Sequence, residues 1–345
     1  MKQITKLSLT FVCATAILLS SCNWWKEETL TVAISPYQDI AMIVNIRNLE
    51  LEKKYNTQVD LQTMNWEDIV PAVASSGKTI DVGFGSLVEY LTKSNNINKD
   101  TEDPLLFIYP AYIYKGGGFI SFNSDVPVIN SSNLDKESIV ASFLKNKIGA
   151  QKNSLYEMLL YSLAKKNNVD IKDMKIFDTP MNDGLLATQS GSLQISSAGL
   201  TQITEALKQN GRVVLTMEDL GFADVTGFIC KKSVWDKKKK EIENLIKMWF
   251  ECVDYVMTDI DKNSKFSLKY LGEKAATKYT LEQYKTALSQ EYFPRTVDEA
   301  NKEIVSDSGK FSYQRISNDV SDYLLTNKIV DKKPNIPQFI DLKMQ

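Results

Sequence analysis

The order of apolar runs between Thr29 and Ser86 constrains the fold of this chain more than any other feature. Thr29 to Ser35 (Thr-Leu-Thr-Val-Ala-Ile-Ser) is rich in β-branched residues and reads as a strand. Pro36-Tyr37-Gln38-Asp39 turns it. Ile40, Ile43, Val44 and Leu51 then recur at helical spacing, which predicts a helix running to about Tyr55. Val59 to Met64 alternates as a second strand, and Trp66-Glu67-Asp68 opens a helix that ends near Gly77. Ile80 to Phe84 is a third strand, from which Gly85-Ser86 leads into another helix. Strand, helix, strand, helix, strand at this spacing predicts an α/β unit with a mainly parallel sheet.

The middle of the chain repeats that logic. Tyr114 to Phe119 (Tyr-Lys-Gly-Gly-Gly-Phe) places three glycines between apolar β stretches and marks a crossing into a second domain. A strand begins at Ile148 to Gln151, and Leu155, Met158, Leu159 and Leu163 stripe a helix. Met181 to Gly191 reads as helix, Leu193 to Ser197 as strand, the segment around Leu200, Ile203 and Leu207 as helix, and Val213 to Thr216 as strand. Gly227 to Cys230 reads as a strand returning to the first domain, and Ile242, Leu245, Ile246, Trp249, Phe250 and Val253 form an amphipathic helix behind it. The expected division is 29–118 with 226–345 as one discontinuous domain and 119–225 as the other, hinged near Gly116 to Phe119 and Ala223 to Phe228.

The first residues carry a separate signal. Lys2 and Lys6 precede an apolar run from Leu7 to Leu19, as an export signal does, and the run is too short to span a bilayer. Leu19-Ser20-Ser21-Cys22 resembles the bacterial lipobox. The expectation is a signal peptide over 1–21, lipidation at Cys22 and a tether over 22–28. Trp24 and Trp25 would rest in the lipid interface or pack on the domain.

Composition removes several chemistries. The 345 residues include no histidine, which excludes histidine-based triads, histidine general bases and histidine-ligated metals. A net charge of −2 argues against nucleic acid as a partner. The run Lys237 to Lys240 reads as a solvated helix start. Cys230 and Cys252 lie in apolar segments and read as small buried hydrophobes, with a disulfide between them left open.

Several stretches in this order resemble one family. Lys78-Thr-Ile-Asp81-Val-Gly83-Phe-Gly85 is similar to a strand that carries a loop into the ligand cleft of exported solute-binding proteins of ABC importers, in the group that binds aliphatic sulfonates, nitrate and thiamine precursors. Lys147-Ile-Gly-Ala150-Gln151-Lys-Asn153-Ser154 resembles the start of that family's second domain, with Asn153 where glycine is usual. Gln189-Ser-Gly191-Ser-Leu-Gln194 and the stretch Val320 to Ile329 with Lys333-Pro334 follow in the family's order. The resemblance implies an α/β, two-domain periplasmic-binding-protein-like fold (type II), each domain a mostly parallel sheet flanked by helices, with the ligand cleft between them. It implies no cofactor and no metal. The partners it implies are a small anion or heterocycle as ligand, a permease and ATPase, and a membrane reached through the N-terminal lipid, on the periplasmic or outer face.

Ligands of open α/β sheets bind beyond the carboxyl ends of strands, where helix N-termini offer unpaired N–H groups. That points to Ser35, Tyr37 and Gln38 after the first strand, Gly85 and Ser86 after the third, and Gln151, Asn153 and Ser154 in the second domain. Ser86 and Ser154 are equally suited to plain helix capping. Ser197 and Gly199 belong to a run of small residues that suits either close approach to a ligand or a simple turn. Trp66, Tyr112 and Tyr114, with Tyr90, are aromatics near these loops that can wall a flat ring, and Lys152 can supply charge. Two other functions stay open on the same fold. One is an enzyme related to the thiamine-pyrimidine synthases, with a carboxylate such as Asp183 as acid or base. The other is a sensor or surface-interaction protein.

Overall fold

The computed structural model describes residues 29–342 except 77, 78, 153, 276, 277 and 327. The expected signal peptide, Cys22 and the tether lie outside the described residues, as does Asn153. Strands β1 (Leu30–Ile34), β2 (Val59–Thr63), β3 (Val82–Ser86) and β4 (Leu105–Tyr114) come first. β5 (Gly118–Ser121), β6 (Lys147–Gly149), β7 (Lys175–Phe177), β8 (Ile195–Ala198) and β9 (Arg212–Thr216) follow, and β10 (Asp224–Lys231) closes the series. These described strands form two five-stranded sheets, ordered β2-β1-β3-β10-β4 and β7-β6-β8-β5-β9.

Both sheets are mixed, with half of the neighbouring pairs parallel: β1 with β2 and β3, and β6 with β7 and β8. One strand in each sheet runs against the rest, β10 against β3 and β4, and β5 against β8 and β9. These are the two strands by which the chain enters each sheet from the other. A helical crossover carries the chain back to the far end of a sheet before the next strand, which makes that strand parallel. A chain stepping straight across from the neighbouring sheet has no such return and starts at the near end. The carboxyl ends of the parallel strands in both sheets therefore face each other. The two crossings lie side by side, with the Met217 N–H donating to Gly117 O at 2.9 Å. Gly118, in the first crossing, sits where an added Cβ would meet the Leu215 carbonyl.

The longer helices are α1 (Trp66–Ser76), α2 (Leu87–Ile97), α3 (Glu137–Leu144), α4 (Leu155–Lys166), α5 (Met181–Gln189), α6 (Leu200–Lys208), α7 (Lys232–Thr258), α8 (Lys265–Lys274), α9 (Leu281–Ser289) and α10 (Tyr313–Thr326). A parallel sheet must be covered on both faces. In β1, Leu30, Val32 and Ile34 point into a layer with Trp249 and Phe250 of α7. Ala33 points the other way, with Ile69 and Val73 of α1. The second face is tight: a Cβ on Gly83 of β3 would lie 2.5 Å from Ile69 Cγ2 and 3.0 Å from Val73 Cγ2.

Three expectations need correction. The single helix read through Tyr55 is three pieces, Ala41–Val44, Asn45–Asn48 and Leu51–Tyr55. Glu50 adopts φ +51°, a left-handed conformation that ends one helix before the next begins, and apolar spacing gives no sign of it. The start of α7 is not simply solvated. Lys238, 14% exposed, breaks the helical backbone with φ −119° and bonds Asp81 Oδ2 at 2.9 Å. Asp81 Oδ2 also accepts from the Thr31 N–H at 2.9 Å, so one carboxylate ties α7 to β1. The second-domain edge strand β7, three residues long, was not foreseen. Cys230 and Cys252 are buried free thiols, and no described helix is long and apolar enough to cross a membrane.

Candidate functional site: a cavity between the two sheets

The facing strand ends enclose a cavity of about 660 Å³, open mouth included. Each wall comes from loops and helix starts that follow a strand. Tyr37, Gln38 and Asp39 follow β1, Trp66 opens α1 after β2, and Ser86 and Glu89 begin α2 after β3. Opposite them, Gln151 and Ser154 follow β6, Leu155 and Tyr156 begin α4, and Met181 begins α5. Gly199, Leu200, Thr201 and Gln202 follow β8. Tyr112 and Tyr114 from the end of β4, with Asp224 and Thr226 from the start of β10, fill the side where the chain crosses.

Hydrogen bonds hold these groups. Ser86 Oγ accepts from the Glu89 N–H at 3.1 Å, capping α2, and donates its proton to Asp224 Oδ2. The other oxygen, Asp224 Oδ1, accepts from the Val88 N–H at 3.3 Å. Ser154 Oγ accepts from the Glu157 N–H at 3.4 Å, capping α4, and donates to Gln151 O at 2.6 Å. Each serine caps a helix, and each also lies in the cavity lining. Each hydroxyl has only one proton, and it is already used inside the protein.

Other bonds cross from one sheet's side to the other. Thr201 Oγ1 donates to Gln38 Oε1 at 3.1 Å, and the Tyr279 hydroxyl donates to Thr201 Oγ1 at 2.9 Å. The Gln202 side chain reaches the Tyr37 hydroxyl. The Tyr114 and Tyr156 hydroxyls lie 2.9 Å apart, and Tyr156 donates to Ala198 O at 3.2 Å. Beside the first crossing, buried Glu291 accepts from the Lys115 N–H at 2.6 Å and the Gly116 N–H at 3.3 Å. Burial, with the Asp39 charge, holds the Glu291 carboxyl well above the usual range.

The electrostatics are one-sided. Among the described residues the cavity is lined by Asp39, Glu89 and Asp224 and by no lysine or arginine. Asp39 accepts from the Tyr112 hydroxyl at 2.6 Å and the Ile40 N–H at 3.0 Å, and burial pushes it up to about 6. Burial pushes Asp224 up to about 7, against the lowering effect of its Ser86 and Val88 bonds, with Glu89 adding to the rise. Desolvation raises Tyr37, Tyr112, Tyr114 and Tyr156 as well, so all four are neutral phenols. Among the described residues no group of three or more acidic or cysteine side chains is placed to hold a metal.

Nine of the residues singled out from sequence line the cavity: Tyr37, Gln38, Trp66, Ser86, Tyr112, Tyr114, Gln151, Ser154 and Gly199. Three do not. Ser35 is buried at the end of β1 and donates to Met64 O at 2.9 Å. Gly85 lies within β3 against Ile229. Ser197 is buried inside β8, its hydroxyl without a partner. Tyr90 is turned away, donating to Leu105 O at 3.2 Å, and Lys152 and Asp183 are exposed outside the lining. Sequence reasoning missed Asp39, Glu89, Tyr156, Thr201, Gln202 and Asp224. A usable signal existed for Asp224, an acid opening an otherwise apolar strand, where unpaired charge is rarely buried.

No protein-family model matches the sequence, and no curated protein matches it. Solved structures do match in shape. The periplasmic aliphatic sulphonate binding protein SsuA from Escherichia coli aligns with TM-score 0.66 at 16% identity, over 90% of this chain and 96% of that one. The periplasmic nitrate-binding protein NrtA from Synechocystis PCC 6803 gives 0.62 at 15%, over 88% and 81%. The desulfurization enzyme DSZB gives 0.57 at 11%, over 89% and 94%. A Candida albicans protein described as having the generic periplasmic binding protein structural fold gives 0.56 at 13%, over 91% and 99%. At these identities the likeness is one of architecture, and the architecture is clear: this chain has the two-domain periplasmic-binding-protein fold.

Proposed function

We propose that this chain is an exported, lipid-anchored solute-binding protein that captures a small molecule between its two domains and delivers it to the permease and ATPase of an ABC importer. The observation that carries the reading is the cavity itself. Both domains wall it, aromatic and polar groups converge on it, and hydrogen bonds such as Gln38 to Thr201 cross it. A ligand that touches both walls binds the closed arrangement better than the open one and shifts the population toward it. The importer then distinguishes loaded from empty protein by shape. Matching folds among binding proteins of import systems support the same reading.

One observation favours an enzyme as the second reading. Asp39 and Asp224 are buried carboxyls held near neutral pH, which is where general acids and bases work, and DSZB is an enzyme of similar shape. Equilibrium dialysis separates the two. A solute-binding protein takes up its ligand saturably and returns it chemically unchanged after hours of incubation, whereas recovered product selects the enzyme. The anchor is tested on its own: Cys22→Ala is expected to move the protein from the membrane fraction to the soluble fraction of cells. Unchanged partitioning contradicts the anchor and leaves the binding reading standing.

A further inference from the structure

We infer that the ligand of this cavity is a small organic cation, an ammonium or amidinium group on a compact apolar body. This rests on the solute-binding reading and adds the charge class of the solute.

The argument starts from what an anion would need. Helix N-termini at the strand ends are the ordinary seats for anionic ligands, because unpaired N–H groups and the helix dipole converge there. At the N-terminus of α2 that seat is filled by the protein's own carboxylate. Asp224 accepts from the Val88 N–H and from the Ser86 hydroxyl. At the N-terminus of α4 the Ser154 proton goes to Gln151 O. At the N-terminus of α6 the Gly199 N–H donates to Gln202 Oε1 at 3.1 Å. Among the described residues no lysine or arginine lines the cavity. An anion entering here meets three carboxyl groups in the described lining and no lining lysine or arginine.

A cation meets the opposite situation. Asp39 is 3% exposed and Asp224 2% exposed. Each accepts two hydrogen bonds from neutral groups, and neither has an ion-pair partner among the described residues. A buried carboxylate without a counter-charge is costly to keep ionised, which agrees with the upward displacement of both. Glu89, the third acid, is already paired with Lys93 at 3.7 Å. A bound cation supplies the charge that Asp39 and Asp224 lack. The remaining walls are the faces and edges of Tyr37, Trp66, Tyr112, Tyr114 and Tyr156. Aromatic rings attract ammonium and guanidinium-like groups through their quadrupole, most strongly where water is excluded. Unpaired acids and aromatic rings in one lining suit one class of solute.

The test is a charge-matched series against the purified full-length protein, read by thermal shift and then by calorimetry. The cations are choline, 2-phenylethylammonium and benzamidinium. The anions are phenylacetate, benzenesulfonate and nitrate. The expected result is saturable stabilisation by at least one cation, at least tenfold tighter than its size-matched anion. That preference should fall at least tenfold in Asp224→Asn and in Asp39→Asn, each checked for an intact fold by circular dichroism. Binding of an anion with no cation binding overturns the charge inference and leaves the solute-binding reading intact. A flat response to every cation also overturns it, as does a cation preference that survives both substitutions. The solute-binding reading fails on different evidence: a cation that binds, depends on Asp224, and is recovered chemically altered.

Discussion

At the scale of single residues, Asp224 and Ser86 carry the most testable energetics. A carboxyl that is pushed up by folding binds more protons in the native than in the unfolded state between its two pKa values. Stability then falls as pH rises through that window, here from about 3.8 to about 7 for Asp224 and from about 3.8 to about 6 for Asp39. Glu89 on α2 adds to the rise of Asp224, and the Asp39 charge adds to the rise of Glu291 at the crossing. Asp224→Asn removes one ionisation. Thermal unfolding of the ligand-free variant between pH 5 and pH 8 should lose part of the decline, with a gain on the order of 2 kcal/mol at pH 8. An identical pH dependence in both proteins would show that Asp224 is not the buried acid responsible. Ser86→Ala removes an N-cap and leaves Asp224 short of one donor. Its expected cost is about 1–3 kcal/mol in chemical denaturation, together with weaker ligand binding. A loss of binding at full stability would mean that the hydroxyl serves the ligand alone.

At the scale of elements, the tight face between α1 and β3 is where small changes should act most strongly. Gly83→Ala pushes a methyl into Ile69 and Val73. The overpacking should cost about 1–3 kcal/mol in urea unfolding, and a neutral result would mean that α1 moves freely on the sheet. On the other face, Trp249 is fully buried and donates to Ala111 O at 3.1 Å. Trp249→Ala should destabilise by about 3–5 kcal/mol. The elements differ in how legible they were from sequence. β1 and β3 were plain because a doubly covered parallel strand must be a short continuous apolar run. The helix α7 was plain because its stripe persists over many turns. The region 40–55 was misread because its break depends on one left-handed residue, Glu50, whose side chain announces nothing. β7 escaped because three residues, Lys-Ile-Phe, are too few to show a period. Pro110 sits inside β4. β4 is an edge strand whose register with β10 slips around that residue, so the missing N–H costs no ladder bond.

At the scale of the whole molecule, the site was legible in outline and not in charge. Strand ends followed by serines or glycines located the two walls of the cavity, because fold topology dictates where such loops gather. The groups that set its chemistry were hidden for a physical reason. Asp39 and Asp224 are 185 residues apart in the chain and line one cavity only once β10 has returned to the first sheet. Thr201 and Gln202 look like ordinary helix residues until α6 is placed opposite Gln38 and Tyr37. The central claim is that the two domains open and close on a solute held between them. The most direct measurement is the distance between spin labels on exposed positions of the two domains, Lys53→Cys and Leu186→Cys, with Cys13 and Cys22 replaced by Ser. Cys230 and Cys252 are buried and escape labelling. Double electron–electron resonance is recorded without ligand and with whichever amine or anion of the charge-matched series binds. The account predicts a broad or two-peaked distribution in the free protein that collapses to its shorter distance when ligand saturates. A single distribution that a bound ligand leaves unchanged would contradict closure, and with it the proposal that this cavity works by capturing a solute between moving domains.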